Sequence, residues 1–529
     1  MNLSFQGIPT PLKTTALALF LGLLPFDWLP SLEQKRGLPV AQASVTASAD
    51  GHTTSLNTGK ETVDLTVNPV ANIPTAQQWQ THIQQDLLPF WSLPNALGDP
   101  IGNFPSIRCN DGSLINPENP CPEVQDREWL MAGDQYVVAL SRQIYTYGVV
   151  FQLTGDLQYL DYAKAGVDYL RQNALDREAG GAFSWWDAKQ QIWGPTLDYR
   201  NPQEQAYALM GMAYYYYLTR DTEVLQDILT LKDFIFETYY NPELSLLQWQ
   251  LQDGEGAKAL ELRLVAQLDQ LNAYMLLLAP ILPEPKKTEW MRDMVWLSEI
   301  MLDNFYSAQE NLFFLSVVDP NNQINLKTDM DFGHTIKTMW LMRMIGMLSN
   351  EPSLVDFAVK NAPGVLEQAF IAELGAWAEG VQVDGTVNRN AAWWVYAELD
   401  QFAASFALQD PAMMTYLAQT YDYWFHYFVD PQFGEVWTGI DALTQEPMQT
   451  LPKQWPWKNG YHSFEHALVG YITSSQLHDE PIVLHYAFEQ LPELDTIHPY
   501  YYRGDIDQIT LIPGKDKPTV YTVTFSDVY

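Results

Sequence analysis

The segment Tyr136-Val-Val-Ala-Leu-Ser-Arg-Gln-Ile-Tyr-Thr-Tyr147 is followed, after six further residues, by the turn Thr154-Gly-Asp156. Side chains recur in it at the i, i+3, i+4 spacing of one helix face. These side chains are Tyr136, Ala139, Leu140, Gln143, Ile144 and Tyr147. A second helical pattern follows the turn at once, so the two segments together predict a helical hairpin.

The same periodicity recurs along most of the chain. It predicts about twelve helices, at 77–91, 129–153, 157–175, 203–219, 222–240, 262–280, 287–306, 335–348, 352–371, 391–408, 412–428 and 463–476. Short turns such as Arg220-Asp221 alternate with long aromatic loops such as Gly180-Gly-Ala-Phe-Ser-Trp-Trp-Asp187. This alternation is typical of a closed ring of paired helices with a site at the long-loop end. We therefore expect an all-α fold, an (α/α)6 barrel over residues 77–499.

A two-domain all-α protein is the alternative architecture. Against it, no linker rich in Pro, Gly or Ser divides residues 130–476. Beyond the barrel, residues 500–529 are β-rich. Ile506-Asp-Gln-Ile-Thr-Leu-Ile512 and Pro518-Thr-Val-Tyr-Thr-Val-Thr-Phe525 flank a Pro-Gly turn, which predicts a C-terminal β-hairpin tail.

The composition limits the partners. The 529 residues carry 64 acidic and 29 basic side chains, a formal charge of −35, which disfavours nucleic acid and anionic lipid as partners. The 18 Trp, 29 Tyr and 23 Phe residues pack mainly in the core, but indole and phenol faces also stack on sugar rings. A small neutral carbohydrate is thus the expected partner. The sequence indicates no oligomeric state.

Residues 1–43 read as an export signal. Lys13 precedes the apolar run Ala16-Leu-Ala-Leu-Phe-Leu-Gly-Leu-Leu24, and Ala41-Gln-Ala43 offers a small-x-small cleavage site. The run is too short to span a bilayer of about 30 Å, so no integral membrane domain is expected after cleavage. An uncleaved N-terminal anchor is the alternative. Residues 44–73 are rich in Ser, Thr, Asn and Gly, and we expect residues 44–76 to form an N-terminal extension.

The cysteine pair fits an oxidising compartment. Cys109 and Cys121, the only two cysteines, lie in one polar loop. In a periplasmic or extracellular protein such a pair is most simply a disulfide, with two free thiols as the alternative.

Two histidines have similar local contexts. His334 follows Asp331-Phe-Gly, and His462 follows Trp457-Lys-Asn-Gly-Tyr; each opens an apolar helical run. The positive end of a helix favours the neutral, proton-accepting imidazole. The pair therefore suggests a proton-transfer site built from two inner helices. His466 lies one turn after His462, but Glu465 projects to another face, so we predict neither a metal nor a cofactor.

Six motifs occur in a fixed order over roughly residues 85–475. They are Arg142 with Thr154-Gly-Asp156, Gly180–Asp187 with Gln203-Glu-Gln-Ala-Tyr-Ala-Leu, Phe332-Gly-His334, Ala392-Trp-Trp-Val-Tyr-Ala-Glu398, Asp430-Pro-Gln-Phe-Gly-Glu-Val-Trp437 and Trp457-Lys-x-x-Tyr-His462. Together they resemble the N-acylglucosamine 2-epimerase superfamily, which includes cellobiose 2-epimerases and aldose–ketose isomerases. The resemblance implies His334 and His462 as catalytic residues, Arg142 as the group that stabilises an enediolate, and Trp394, Glu398 and Trp457 as substrate-binding residues.

The chain departs from the family pattern on three helices. A Met-His-x-x-Glu-Ala pattern is replaced by Leu268-Asp269-Gln-Leu-Asn272-Ala273, a glutamate after Gly-His-x-Ile by Lys337, and an arginine after Tyr-His by Glu465. Lys337 and Glu465 together could form a reversed ion pair. Asp269 and Lys337 complete the predicted substrate-binding set.

Three functions follow from these residues. The first is an exported epimerase or aldose–ketose isomerase that acts on the open-chain reducing end of a neutral sugar or oligosaccharide by histidine-mediated proton transfer. The second is a glycoside hydrolase on the same barrel, with Asp269 and either Glu398 or Asp331 as its carboxylate pair. The third is a non-catalytic sugar-binding protein.

Overall fold

The computed structural model describes residues 69–125, 127–252, 262–317, 330–382, 384–449, 451–512, 514 and 518–529. The predicted export signal and most of the predicted N-terminal extension lie outside these residues.

Fourteen α-helical stretches in the described part of the chain form twelve rods. The stretches are α1 (Ala76–Thr81), α2 (Leu88–Trp91), α3 (Val137–Thr154), α4 (Leu157–Tyr169), α5 (Pro202–Thr219), α6 (Thr222–Tyr239), α7 (Leu264–Gln270), α8 (Leu276–Leu278), α9 (Lys286–Phe305), α10 (Phe332–Ser349), α11 (Pro352–Ala369), α12 (Trp393–Ala407), α13 (Met414–Tyr423) and α14 (Gly460–Leu477). π-helical turns at His82–Leu87 and Leu271–Met275 join α1 to α2 and α7 to α8. Two further π-helical turns, Leu170–Ala174 and Trp424–Phe428, extend α4 and α13.

Six of the rods form a closed inner ring. Contacts run from α3 to α5, to the α7–α8 rod, to α10, α12 and α14, and from α14 back to α3. An outer helix packs against each inner one: α4, α6, α9, α11, α13 and the α1–α2 rod. The predicted (α/α)6 barrel is confirmed.

The inner helices differ from the outer ones in composition because they are covered on every side. Helix α5 is buried from Gln205 to Thr219, and α10 from Phe332 to Gly346. A helix in such a position must be apolar all round, whereas an outer helix needs one apolar stripe. Leu264–Ile281 is long and apolar enough to cross a membrane, but it is wholly buried as an inner rod. Core packing accounts for its hydropathy.

Two-residue strands lead directly into four inner helices. β1 (Gln135–Tyr136) precedes α3, β6 (Leu262–Arg263) precedes α7, β10 (Met330–Asp331) precedes α10, and β15 (Ala391–Ala392) precedes α12. β1 pairs with β2 (Trp185–Asp187), so α3 begins at Val137 and the sequence-based start at residue 129 is wrong. Residues Glu128–Met131 form a separate 3-10 turn.

The other short strands form antiparallel pairs in the connections. They are β3 (Ile192–Gly194), β4 (Tyr240–Asn241), β5 (Leu246–Leu247), β7 (Tyr306–Ser307), β8 (Leu312–Phe313), β9 (Ser316–Val317), β11 (Phe370–Ile371), β12 (Ala376–Trp377), β13 (Gly380–Val381), β14 (Val387–Asn388) and β16 (Gly439–Ile440). In the same part of the molecule, Cys109 and Cys121 form the expected disulfide.

The C-terminal tail is β-rich, as expected. β18 (Asp505–Ile512) pairs with β19 (Val520–Ser526), and β17 (Ile482–Tyr486) adds to the other edge of β19. The sheet therefore takes in residues before 500, where the sequence suggested that the tail begins. β17 packs against α3, α5 and α14, which anchors the sheet to the barrel.

Candidate active site

His334 is oriented by the residue that caps its helix. Asp331 accepts the main-chain N–H of His334 at 2.6 Å and the ring Nδ1–H at 2.7 Å. Because Nδ1 donates to a carboxylate, Nε2 is the nitrogen that carries the lone pair. At Gly333, a Cβ atom would lie 2.5 Å from the Trp394 ring, so the glycine lets the start of α10 approach that indole. Asp331 thus fixes the tautomer of the predicted catalytic histidine.

His462 lies on the same indole. Its ring centroid is 6.2 Å from that of Trp394, and the centroid of His334 is 4.6 Å from it. Burial lowers the pKa of His462 well below its ordinary value, and the cations of Lys337 and Arg142 lower it further. Its buried Nδ1 has no hydrogen-bond partner among the described residues. The structure therefore brings the two histidines together, and His462 is neutral at physiological pH.

Lys337 is buried in a group of carboxylates. Its ammonium lies 3.2 Å from Glu398 Oε1 and 3.9 Å from Asp269 Oδ1. Burial lowers the pKa of Lys337, but the neighbouring carboxyl groups of Glu398 and Asp269 outweigh that effect and leave the pKa above its usual range. The lysine is thus a permanent cation.

The carboxylates around Lys337 have different partners. Asp269 accepts hydrogen bonds from Gln203 Nε2 at 2.8 Å and from Tyr207 Oη at 3.1 Å. Glu398 has no exposed surface, and its Oε1 lies 3.5 Å from His462 Nδ1. Burial raises the pKa of Glu398 to about 7; Lys337 opposes the rise and the charge of Glu465 adds to it. Burial thus brings the pKa of this carboxyl group next to His462 close to neutral pH.

Glu465 faces Glu398 across His462. Ligand atoms of these three residues all lie within 4.8 Å of one another, a spacing that a divalent cation can use. The Lys337 ammonium already contacts Glu398, and it would repel a second cation. The sequence suggested a direct ion pair between Lys337 and Glu465. In the structure, Lys337 instead forms ion pairs with Glu398 and Asp269.

Arg142 reaches the site from α3. Its Nη1 donates to the main-chain oxygen of Trp457 at 2.7 Å, and its guanidinium lies 4.1 Å above the Tyr207 ring. Its Nε is buried without a partner among the described residues. An unused donor on a buried cation is suited to an oxygen that develops negative charge.

The predicted aromatic residues lie at the same place. Trp394 lies against both histidines, and partly exposed Trp457 lies 5.2 Å from the Arg142 guanidinium and packs on Tyr207. Asp331 and His334 are also slightly exposed, whereas Lys337 and Glu398 lie deeper. The site therefore has a rim at the N-termini of the inner helices and a charged floor one to two turns below it.

His466 does not belong to this site. Its Nε2 bonds Asp400 at 2.9 Å, and its ring packs on Trp424 at 4.3 Å. Asp400 also accepts hydrogen bonds from Trp377 and Thr420, so the histidine completes a buried structural network.

Several site residues escaped the sequence analysis. The sequence predicts Asp331 as a hydrolytic carboxylate, whereas the structure shows it as the N-cap of α10; an Asp three residues before a helical His is a recognisable signal for that role. Tyr207, on α5, contacts both Asp269 and Arg142. Tyr500, from the tail, donates to Glu465. A single tyrosine in a tyrosine-rich helix or tail carries no local signal of such contacts.

Comparison with known proteins decides the family. Residues 125–465 match the family model described as N-acylglucosamine 2-epimerase (GlcNAc 2-epimerase). The chain belongs to the N-acylglucosamine 2-epimerase family. A cellobiose 2-epimerase of Ruminococcus albus is 25% identical over 354 residues, which cover 62% of this chain and 85% of that protein.

Two solved structures have the same barrel fold as this member of the N-acylglucosamine 2-epimerase family. The cellobiose 2-epimerase of Spirochaeta thermophila DSM 6192 matches with a TM-score of 0.64 and 18% identity, over 76% of this chain and 97% of that one. A D-mannose isomerase matches with a TM-score of 0.61 and 16% identity, over 75% and 97% of the two chains. At these identities the likeness shows the fold alone.

Proposed function

We propose that this protein is an exported sugar 2-epimerase or aldose–ketose isomerase that acts on the open-chain reducing end of a neutral sugar or oligosaccharide. The observation that carries the proposal is the placement of His334 and His462 against one indole, Trp394. Two imidazoles from different helices can address two positions of one small substrate. Family membership supports the reaction class.

The reaction begins with removal of the proton on the carbon next to the carbonyl. Nε2 of His334 is the candidate base for one face, because Asp331 holds the opposite ring nitrogen as a donor. The enediolate that forms is stabilised by the Arg142 guanidinium and the Lys337 ammonium. Return of a proton to the opposite face of C2 gives epimerisation, and delivery to C1 gives isomerisation.

His462 is the candidate for the second proton transfer. Its neutral ring faces Glu398, whose pKa of about 7 allows it to give or take a proton near neutrality. A buried acid next to a buried imidazole can restore the protonation state of that imidazole after each turnover. Glu398 would serve as this proton reservoir.

The position of Lys337 argues against the hydrolase alternative. A glycosidase needs open space for a glycosidic oxygen between its two carboxylates. Between Asp269 and Glu398 lies the Lys337 ammonium, within 3.9 Å and 3.2 Å of their oxygens. Asp331, the other partner considered, is bonded to His334.

We expect the protein to be exported to the periplasm or the medium. Export is supported by the apolar segment after Lys13 and by the Cys109–Cys121 disulfide, which persists in oxidising compartments. N-terminal sequencing of protein recovered from the periplasm or medium of a host cell should begin near residue 44. A mature chain that begins at Met1 would point to the uncleaved anchor.

The reaction is tested by incubating the mature protein with reducing sugars in heavy water and following the C2 proton by NMR. Cellobiose and D-mannose are the first probes, because both sugars appear in the names of relatives. Loss of the C2 signal with a new epimer or ketose is the expected result. Release of a monosaccharide from cellobiose would favour the hydrolase, and saturable binding without exchange would favour the sugar-binding protein.

A further inference from the structure

The chain returns into the barrel after β17. Residues 498–502, here called the C-terminal plug, enter from the end opposite the two catalytic-candidate histidines. Tyr217, near the end of α5, donates to the main-chain oxygen of His498 at 2.5 Å and accepts from the N–H of Tyr500 at 2.9 Å. The hydroxyl groups of Tyr502 and Ser405, near the end of α12, lie 2.5 Å apart. The plug lies beyond residues 125–465, which match the family.

Two phenols of the plug reach the floor of the site. Tyr500 donates to Glu465 Oε1 and accepts from Tyr145 Oη at 3.1 Å. Tyr501 donates to the main-chain oxygen of Asn272 at 2.8 Å, within the π-helical turn of the inner rod. Glu465 and Asn272 are two of the positions at which this chain departs from the family pattern. The plug therefore contacts two of the inner helical rods at the floor of the site.

The plug is held in an unfavourable backbone conformation. Tyr500 has a φ of 58°, in the left-handed region that bulky residues rarely adopt. Its ring is fully buried and stacks on that of Tyr501 with centroids 3.9 Å apart. Strain at a non-glycine residue persists only where surrounding contacts impose it, and such residues cluster at functional sites.

We propose that Tyr500, from the C-terminal plug, is a positioning residue of the active site that keeps the proton of the Glu398–Glu465 pair on Glu398. This proposal rests on the proposed function, since its consequence is the state of His462. The geometry that supports it is the donation of the Tyr500 hydroxyl to Glu465 and the 3.5 Å separation of Glu398 Oε1 and His462 Nδ1.

The physical reason is the competition between two buried carboxyl groups. Burial raises the pKa of both Glu398 and Glu465, so the two carboxyl groups compete for a proton. The Lys337 cation lowers the pKa of Glu465, and the hydrogen bond donated by Tyr500 stabilises the Glu465 anion and lowers that pKa further. The charge on Glu465 in turn raises the pKa of Glu398. The proton then remains on the carboxyl group next to His462.

Other charged groups act on the same cluster. The cations that influence His462 are Lys337 on α10, Arg142 on α3 and Lys458 just before α14. The remaining titratable neighbours are His334, Asp269, Tyr145, Tyr207, Tyr461 and Tyr501. These groups stay in place when the Tyr500 hydroxyl is removed, and the substitution removes two hydrogen bonds, the one donated to Glu465 and the one accepted from Tyr145.

The test is the pH dependence of kcat/KM for Tyr500→Phe, measured by deuterium exchange into the sugar. Without the hydroxyl, the proton moves toward Glu465, and ionised Glu398 then raises the pKa of His462. Protonated His462 cannot remove a proton, so for the epimer whose C2 proton His462 removes, the acidic limb of the profile should move upward by about one pH unit. KM measured above the limb should not change. Glu465→Gln should move the limb in the same direction, and the double variant should move it no further.

Tyr502→Phe is the matched control. Tyr502 is equally buried in the same plug, but its hydroxyl pairs with Ser405, two turns below Glu398. It should lower thermal stability and leave the pH profile unchanged. A profile for Tyr500→Phe that coincides with that of Tyr502→Phe would overturn the proposal. Additive shifts in the double variant would overturn it as well.

A second measurement separates this proposal from the proposed function. The imidazole of His462 can be titrated by NMR without any sugar, in protein with labelled histidine. An upward shift of its midpoint in Tyr500→Phe or in Glu465→Gln supports the plug even if no sugar is turned over, in which case only the proposed function fails. If Tyr500→Phe does not fold, Glu465→Gln carries the test, and an unshifted midpoint in it refutes the proposal.

Discussion

Replacing Glu398 by Gln should make the protein more stable at alkaline pH, although it removes a partner of Lys337. Two effects oppose each other at this residue. The attraction of Lys337, 3.2 Å away, favours the ionised carboxyl group, and burial disfavours it. The pKa of Glu398 lies at about 7, above the ordinary 4.5, so burial is the larger effect.

The size of the effect follows from that shift. Because the folded protein binds this proton more tightly than the unfolded chain, Glu398 stabilises the fold fully only below pH 4.5 and loses that contribution as the pH rises to about 7. At about 1.4 kcal/mol per pKa unit, the loss is roughly 3 kcal/mol. Glutamine has the same shape and no such loss.

The assay is urea unfolding of wild type and Glu398→Gln at pH 5 and at pH 8, followed by tryptophan fluorescence. The difference in unfolding free energy should change by roughly 3 kcal/mol in favour of the variant between the two pH values. Glu118→Gln, at an exposed position, should show no such change. A variant that loses stability relative to wild type at pH 8 would show that the ion pair with Lys337 outweighs burial, and the reasoning would be wrong.

Three further predictions concern the site and the disulfide. His334→Ala and His462→Ala should each lower turnover by about 10²-fold or more with little change in sugar affinity, while exposed His426→Ala should not; wild-type turnover in either of the first two would contradict the two-histidine mechanism. Asp331→Asn retains a helix cap but not the charge that fixes the His334 tautomer, so turnover should fall by roughly 10²- to 10⁴-fold with an unchanged circular dichroism spectrum. Cys109→Ser should lower the free energy of unfolding by about 2–4 kcal/mol, at the lower end for this short loop, as measured by denaturant titration; an unchanged midpoint would contradict the loop-closure account.

The helices could be predicted from the sequence. Each inner segment, such as Val137–Thr154, has side chains of one kind at helical spacing and a turn at its end. The start of α3 was not, because it depends on the pairing of Tyr136 with Trp185, and no local pattern encodes that pairing. Element bounds are fixed by tertiary contacts in such cases.

The site residues divide in the same way. His334 and His462 stood out because glycine-containing turns place them at helix starts. The sequence could place Lys337 on a helix, but only the ring of six helices shows that it meets Glu398 rather than Glu465. The contact of Tyr500 with the site could not be predicted from the sequence. Its partner Glu465 is 35 residues away, and the connection between them passes through a β-sheet.

Closure of the ring by α14 against α3 sets a condition on assembly. The first inner helix finds its last neighbour only after more than three hundred further residues have been made, so no shorter chain can form a complete wall. A fragment that ends before Gly460 leaves apolar faces of α3 and α12 uncovered and should aggregate rather than fold. The inner ring can therefore close only once α14 has been made, late in synthesis of the chain.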